Sequence, residues 1–179
     1  MVEINIENIV VSTQIANALD LDGLSAVIVD SKFNPEDFPG LIIHFTEPQS
    51  VILLFSTGKV VCTGAKKIED VNDIVHKICA KVKNAGFQVF KSPDLKVQTI
   101  VASIELGRQL NINAIAPTLG LENIEYKPDE FPGLIYKMDD PTTTNILFNS
   151  GKIVCTAESL KDVTSAAEKI NEHLISYGY

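Results

Sequence analysis

The sequence has no tryptophan, only two methionines, three cysteines and three histidines among its 179 residues, and Arg108 is its one arginine. Each shortage excludes something. Cys62, Cys79 and Cys155 leave one thiol unpaired in any disulfide scheme, and no two stand at a C-x-x-C spacing. Neither a disulfide scaffold nor a zinc site is expected, and the cysteines read as small buried hydrophobes in a reducing compartment. His44, His76 and His173 are equally scattered. With no recurring cluster of acid, base or nucleophile, an enzyme is not expected, nor a metal or a cofactor. No window approaches the roughly 18 unbroken apolar residues of a membrane helix. The first residues alternate Glu and Asn with Ile and Val, unlike a secretory leader, so a cytoplasmic protein with no membrane partner is expected.

Positive charge is also in short supply. Fifteen Lys and Arg face 23 Asp and Glu, for a net charge of −8 and a pI near 4.8. Proteins that hold nucleic acid by releasing counterions carry a basic footprint, so any such role here must rest on other contacts. What the chain does have is apolar residues, 45% against 21% charged, spread over its whole length. That is a globular composition, enough for one large core or two small fused ones.

The chain repeats itself. FNPEDFPGLIIHFTEPQSVILLFSTGKVVCTG (33–64) lies without a gap on YKPDEFPGLIYKMDDPTTTNILFNSGKIVCTA (126–157), with 14 of 32 positions identical. NIENIVVS (5–12) matches KVQTIVAS (96–103) at a slightly different offset. Two units of about 90 residues, 1–92 and 93–179, are too few and too long for a solenoid and imply a duplicated domain. Ser92-Pro93 marks the joint.

Within the first unit, alternation predicts a strand over 4–12, and β-rich runs bounded by turn residues predict others over 26–33, 41–45, 51–55 and 59–63. A short helical segment around Ile15, Ala16 and Leu19 is expected after Ser12 or Thr13 as N-cap. Helical spacing from Ile68 to Val82 predicts a long helix over 66–86 that stops at Gly86, and its partner spans about 159–177. The class is therefore α+β: an antiparallel sheet with one long helix laid on one face.

The other face of that sheet should be polar if it meets water. It is not. Val10, Val51, Leu53, Phe55 and Val61 point away from the helix in the first unit. Val101, Ile146, Phe148 and Val154 do so in the second. Two units joined edge to edge would expose this face as an interaction surface, one prone to self-association when free. Two units packed face to face would hide it, as in a β-sandwich.

P-E-D-F-P-G-L-I with its second-unit counterpart D-E-F-P-G-L-I-Y, and the doubled F-x-S/T-G-K-x-V-C-T-G/A, resemble the motifs of the TATA-box-binding protein family, over essentially the whole chain and with both copies in place. The missing basic N-terminal extension and the acidity look archaeal. The resemblance implies one curved antiparallel sheet, a saddle with helices on its convex face, that lies in the minor groove of AT-rich promoter DNA and bends it. It implies that Phe38 and Phe55, and Phe131 and Phe148, wedge between base steps. Such wedges cost a few kcal/mol of unstacking per step, offset by wider contact with the bent duplex.

The resemblance further implies an asparagine near the dyad in each repeat. Asn8 fits the first, whereas Thr99 stands at the second, a departure. Thr63 and Thr156 match the paired hydroxyls. Val10, Val101, Leu53, Ile146, Val61 and Val154 match the apolar floor, and Lys59 and Lys152 the phosphate contacts. Lys137 and His44 stand where relatives often have arginine. The loop Tyr126-Lys127-Pro128-Asp129-Glu130 matches the family's site for transcription factor B, through which RNA polymerase is reached. Lys127 departs there from an acidic position, as in a specialised paralogue, while Asp129 and Glu130 supply acid. The resemblance thus implies a general transcription initiation factor, associated with the nucleoid, that works without cofactor.

Overall fold

The structure, a computed structural model, describes residues 2–179. It divides into two compact units. One is Asn8–Gln98, and the other joins the residues before Asn8 to Thr99–Tyr179. Both have the expected α+β character.

In the first repeat, β1 (Glu3–Gln14) leads through α1 (Leu21–Val27) and the short β2 (Ser31–Lys32) to the meander β3 (Leu41–Thr46), β4 (Gln49–Leu54) and β5 (Lys59–Ala65). These strands pair in the order β2-β3-β4-β5-β1. The second repeat has β6 (Lys96–Glu105), α3 (Ile112–Ile115), β7 (Ile124–Glu125), β8 (Leu134–Asp139), β9 (Thr142–Leu147) and β10 (Lys152–Ala157), in the order β6-β10-β9-β8-β7. The long helices α2 (Ile68–Asn84) and α4 (Leu160–Ser176) follow β5 and β10.

The expected helix at 15–19 lies elsewhere. Ser12 and Thr13 have N-cap chemistry, but β1 runs through them, with Thr13 opposite Val60 and Gln14 opposite Lys59. Their hydroxyls are also engaged: Thr13 Oγ1 donates to the Asp94 carbonyl at 2.7 Å, and Gln98 Nε2 donates to Ser12 Oγ at 2.6 Å. The helix begins instead at Leu21, after Asp20, whose Oδ1 accepts from the Gly23 N–H. It also takes Ala26 and Val27 from the strand expected over 26–33; residues 28–30 turn, and Ser31–Lys32 remains as strand.

Helix α2 buries Val71, Ile74, Val75, Ile78 and Val82, and α4 buries Val163, Ala166, Ala167, Ile170 and Leu174. The sheet residues beneath are fully buried: Ile52, Leu54, Val60 and Cys62 in one unit, Leu147, Ile153 and Cys155 in the other. Burying each large aliphatic contributes about 1.5–3 kcal/mol, so each helix–sheet seam holds its unit together. The helices end alike, with Gly86 at φ +97° and Gly178 at φ +83°. They begin differently. Ser159 caps α4 by accepting from the Asp162 N–H at 3.1 Å while its hydroxyl donates to the Asp162 carboxylate. The N-cap of α2 is Lys67, which makes no side-chain capping bond.

Candidate nucleic-acid interface

Directly opposed residues in an antiparallel ladder share a face, so the register fixes what lies away from the helices. In the first repeat Ile42, Leu53, Val61 and Ser12 form one row, and His44, Val51 and Thr63 the next. In the second, Ile135, Ile146, Val154 and Ser103 form one row, and Lys137, Thr144, Thr156 and Val101 the other. Leu53, Val61, Val10, Val101, Ile146 and Val154 are each half-buried, sheltered by neighbours within the sheet and uncovered by any helix. Every floor residue expected from the sequence is on this face. Ile42, Ile135 and Thr144 are there too and were missed; only the pairing register reveals them.

The phenylalanines form the expected couples. Phe55 follows β4, its N–H bonded to the Lys59 carbonyl at 2.9 Å, and Phe38 caps the turn opened by Asn34, whose carbonyl accepts from the Phe38 N–H at 3.0 Å. Their ring centroids are 5.8 Å apart at 64°, edge to face. In the second repeat Phe148 bonds to Lys152 and Phe131 to Lys127 in the same way, and the rings stand 6.0 Å apart at 71°. Phe131 is 41% exposed. Such an edge-to-face pair is worth about 0.5–1.5 kcal/mol beyond its burial, which holds two rings at the surface in a fixed pose.

The glycine of each F-P-G is part of this arrangement. A Cβ at Gly40 would lie 2.7 Å from Phe38 Cε1 and 3.2 Å from Phe55 Cε1. At Gly133 it would meet Phe131 Cε1 at 2.7 Å, Phe148 Cε1 at 3.0 Å and Ile146 Cγ2 at 2.6 Å. The chain passes under each ring pair at a distance only glycine allows. The motif contained both glycines, but their task shows only in three dimensions.

The polar groups differ between repeats. Asn8 Oδ1 accepts from the Gly64 N–H at 2.7 Å, and Asn8 Nδ2 donates to Thr63 Oγ1 at 3.1 Å. Thr99 and Thr156, at the matching places, make no side-chain hydrogen bond among the described residues. Lys152 Nζ lies 3.6 Å from Glu105, whereas Lys59 stands opposite Gln14. Lys137 and His44 are exposed on their rows. In the loop before Phe131, Lys127 lies 3.9 Å from Glu125 and 3.6 Å from Glu130, and Asp129 is exposed.

Nothing on this face suits bond-making chemistry. The thiols of Cys62 and Cys155 lie under the floor, where burial pushes both up to about 11, with the Asp162 charge adding to the shift at Cys155. A thiol so held is neutral and inert. Among the described residues no group of His, Cys, Asp and Glu could hold a metal ion, and no helix is long and apolar enough to cross a membrane. The surface offers instead an apolar floor, aromatic edges and a few hydrogen-bonding heads, which suits a broad, flat-edged ligand.

Known proteins agree with that geometry. The family model for transcription factor TFIID, or TATA-binding protein, matches residues 3–85 and 94–177, one match per repeat. A TATA-box-binding protein of Archaeoglobus fulgidus is 48% identical over 177 residues, covering 98% of this chain and 97% of the relative. TATA-box-binding protein E of Halobacterium salinarum is 46% identical, covering 98% and 95%. Among solved structures, the Methanococcus jannaschii TBP superposes with a TM-score of 0.90 at 39% identity, covering 97% of this chain and 99% of that one. With both repeats matched along their length and the aromatic couples in place, the chain belongs to the TATA-box-binding protein family, archaeal in type and made of transcription factors rather than enzymes.

Proposed function

We propose that this protein is a general transcription initiation factor that binds AT-rich promoter DNA through the minor groove and bends it. The observation that carries this reading is the pair of aromatic couples, Phe38 with Phe55 and Phe131 with Phe148, each fixed at the end of an uncovered apolar floor. A ring inserted at a base step exchanges base stacking for ring contact, and the floor then meets sugars and base edges of the opened groove. Wedge-and-bend binding is best known from the TATA-box-binding protein itself, so the cost of unstacking is a value general to the family. Acidity is no obstacle, since desolvation of an apolar face does not draw on counterion release.

The bent complex then recruits transcription factor B through Lys127, Asp129 and Glu130, and RNA polymerase through that factor. A second reading, a regulatory paralogue that acts mainly through protein partners, is favoured by one observation. Lys127 sits between Glu125 and Glu130 and neutralises acid in that loop.

The deciding experiment is a gel shift with end-to-end energy transfer on an AT-rich duplex, with and without transcription factor B. A tight, bent complex of the protein alone supports the initiation factor. Binding only in the presence of the partner supports the paralogue. Absence of binding in both formats refutes both.

A further inference from the structure

We propose that the two repeats read their halves of the DNA site by different rules. The first, through Asn8, rejects a G·C pair, and the second, through Thr99, tolerates one. This inference rests on the minor-groove reading above and adds to it the base pairs each repeat accepts.

The difference starts at a β-bulge. Between β1 and β5 the register moves from Ile9 opposite Ala65 to Val11 opposite Cys62, so three steps along β5 face two along β1. Gly64, inside the bulge, takes φ +97°, a left-handed conformation that glycine reaches without strain. A Cβ there would also come within 3.3 Å of the Ser50 Cα. Turned this way, the Gly64 N–H donates to the Asn8 side chain at 2.7 Å.

That bond fixes the amide. A backbone N–H can only donate, so the Asn8 atom it faces is the oxygen. The other end is the NH2 group, which spends one proton on Thr63 Oγ1 at 3.1 Å. The oxygen also faces the Thr63 hydroxyl at 3.5 Å, so both its lone pairs are turned inward and what Asn8 retains for a ligand is a single donor. Flipping the amide would leave the Gly64 N–H facing another N–H and lose this bond.

A·T and T·A pairs show only acceptors in the minor groove, while G·C adds the guanine N2 amino donor. A head that can only donate suits the first two and opposes the third.

The second repeat keeps the threonine, Thr156, but lacks the asparagine, the glycine and the bulge. Ala157 stands where the first has Gly64, and β10 pairs with β6 without a break from Lys152 opposite Glu105 to Ala157 opposite Ile100. With no bulge along this ladder, an asparagine at position 99 would have the Thr156 hydroxyl alone to orient it. Thr99 presents instead a hydroxyl with no side-chain partner among the described residues. A hydroxyl rotates. It donates to adenine or thymine and accepts from the guanine amino group equally well.

The test uses a self-complementary AT duplex, on which both binding orientations are equivalent. Each pair of the half-site is swapped to G·C, first singly and then together with its symmetry mate, and affinity is measured for every duplex. At the pair these residues touch, a single swap should cost about twofold, because the protein turns to lay Thr99 over it and loses one of two orientations. The double swap forces Asn8 onto G·C and should cost a further tenfold or more. Thr99→Asn with Ala157→Gly should make the single swap as costly as the second, and Asn8→Thr should make the double swap mild. If the second swap costs the wild type no more than the first at every position, the inference falls while the minor-groove reading stands. Failure to bind the unswapped duplex overturns both.

Discussion

The ammonium group of Lys152 lies 3.6 Å from the carboxylate of Glu105 on the uncovered face of the second repeat. Its counterpart in the first repeat, Lys59, has Gln14 opposite and no ion pair among the described residues. A phosphate reaching Lys152 must displace Glu105, whereas Lys59 is ready. Lys59→Ala should therefore weaken DNA binding more than Lys152→Ala. Exposed ion pairs are worth about 0.2–1 kcal/mol, so Glu105→Gln should strengthen binding by up to about fivefold. Fluorescence anisotropy at fixed salt measures both, and weaker binding by Glu105→Gln would show that the pair helps rather than competes.

The aromatic couples and the core should separate cleanly on mutation. Phe131→Ala removes a ring that is 41% exposed and should cost less stability than a core truncation, about 0.5–1.5 kcal/mol for the lost ring pair, while the bend seen by energy transfer is reduced. Ile52→Ala, at 0% exposure, should cost about 2–5 kcal/mol of stability by leaving a cavity. Denaturant melts compare the two. A Phe131→Ala variant that bends DNA as the wild type does would remove the wedge from the mechanism.

Gly133→Ala puts a methyl group against two rings and the Ile146 side chain. Overpacking of this kind costs about 1–3 kcal/mol, and the rings must splay. The variant should fold yet bend DNA less. An unchanged bend would mean that ring pose does not matter.

Salt should matter less than it does for basic DNA-binding proteins. With a net charge of −8 and an apolar floor, log K against log salt should imply fewer than about eight released counterions. A steeper slope would show phosphate contacts dominating.

The buried thiols set an alkaline limit. Cys62 and Cys155 are raised from 9.0 to about 11 in the folded chain, so the unfolded chain gives up these protons first. Their contribution is complete below pH 9 and is lost as pH rises through about 11. Stability measured by urea melts should fall over that window, and less steeply in a Cys62→Ala, Cys155→Ala double variant. Identical slopes would place the loss elsewhere.

The meander, the long helices and the residues of the uncovered face were legible because turn signals, helical spacing and repeat all pointed to them: the short run Val51–Phe55 lies between two turns, and its copy Thr144–Phe148 lies between the matching two. The stretch 12–33 was not. Ser12 and Thr13 look like helix caps, and only the ladder to β5 and the bonds to Gln98 and Asp94 show them used as strand. The Gly64 bulge was hidden for a similar reason. A glycine ending a strand reads as a turn, and its tie to Asn8, 56 positions away, needs coordinates. Local pattern predicts what a residue is able to do, while distant partners decide which of those things it does.

The start of each long helix is secured differently, and this sets where the molecule opens first. Ser159 and Asp162 close the first turn of α4 with two side-chain bonds, while the Lys67 side chain makes none on α2. A capping side chain is worth about 0.5–2 kcal/mol. In deuterated water, amides at the leading end of α2 should therefore exchange sooner than those of α4, so that heat or protease finds its first foothold just after β5.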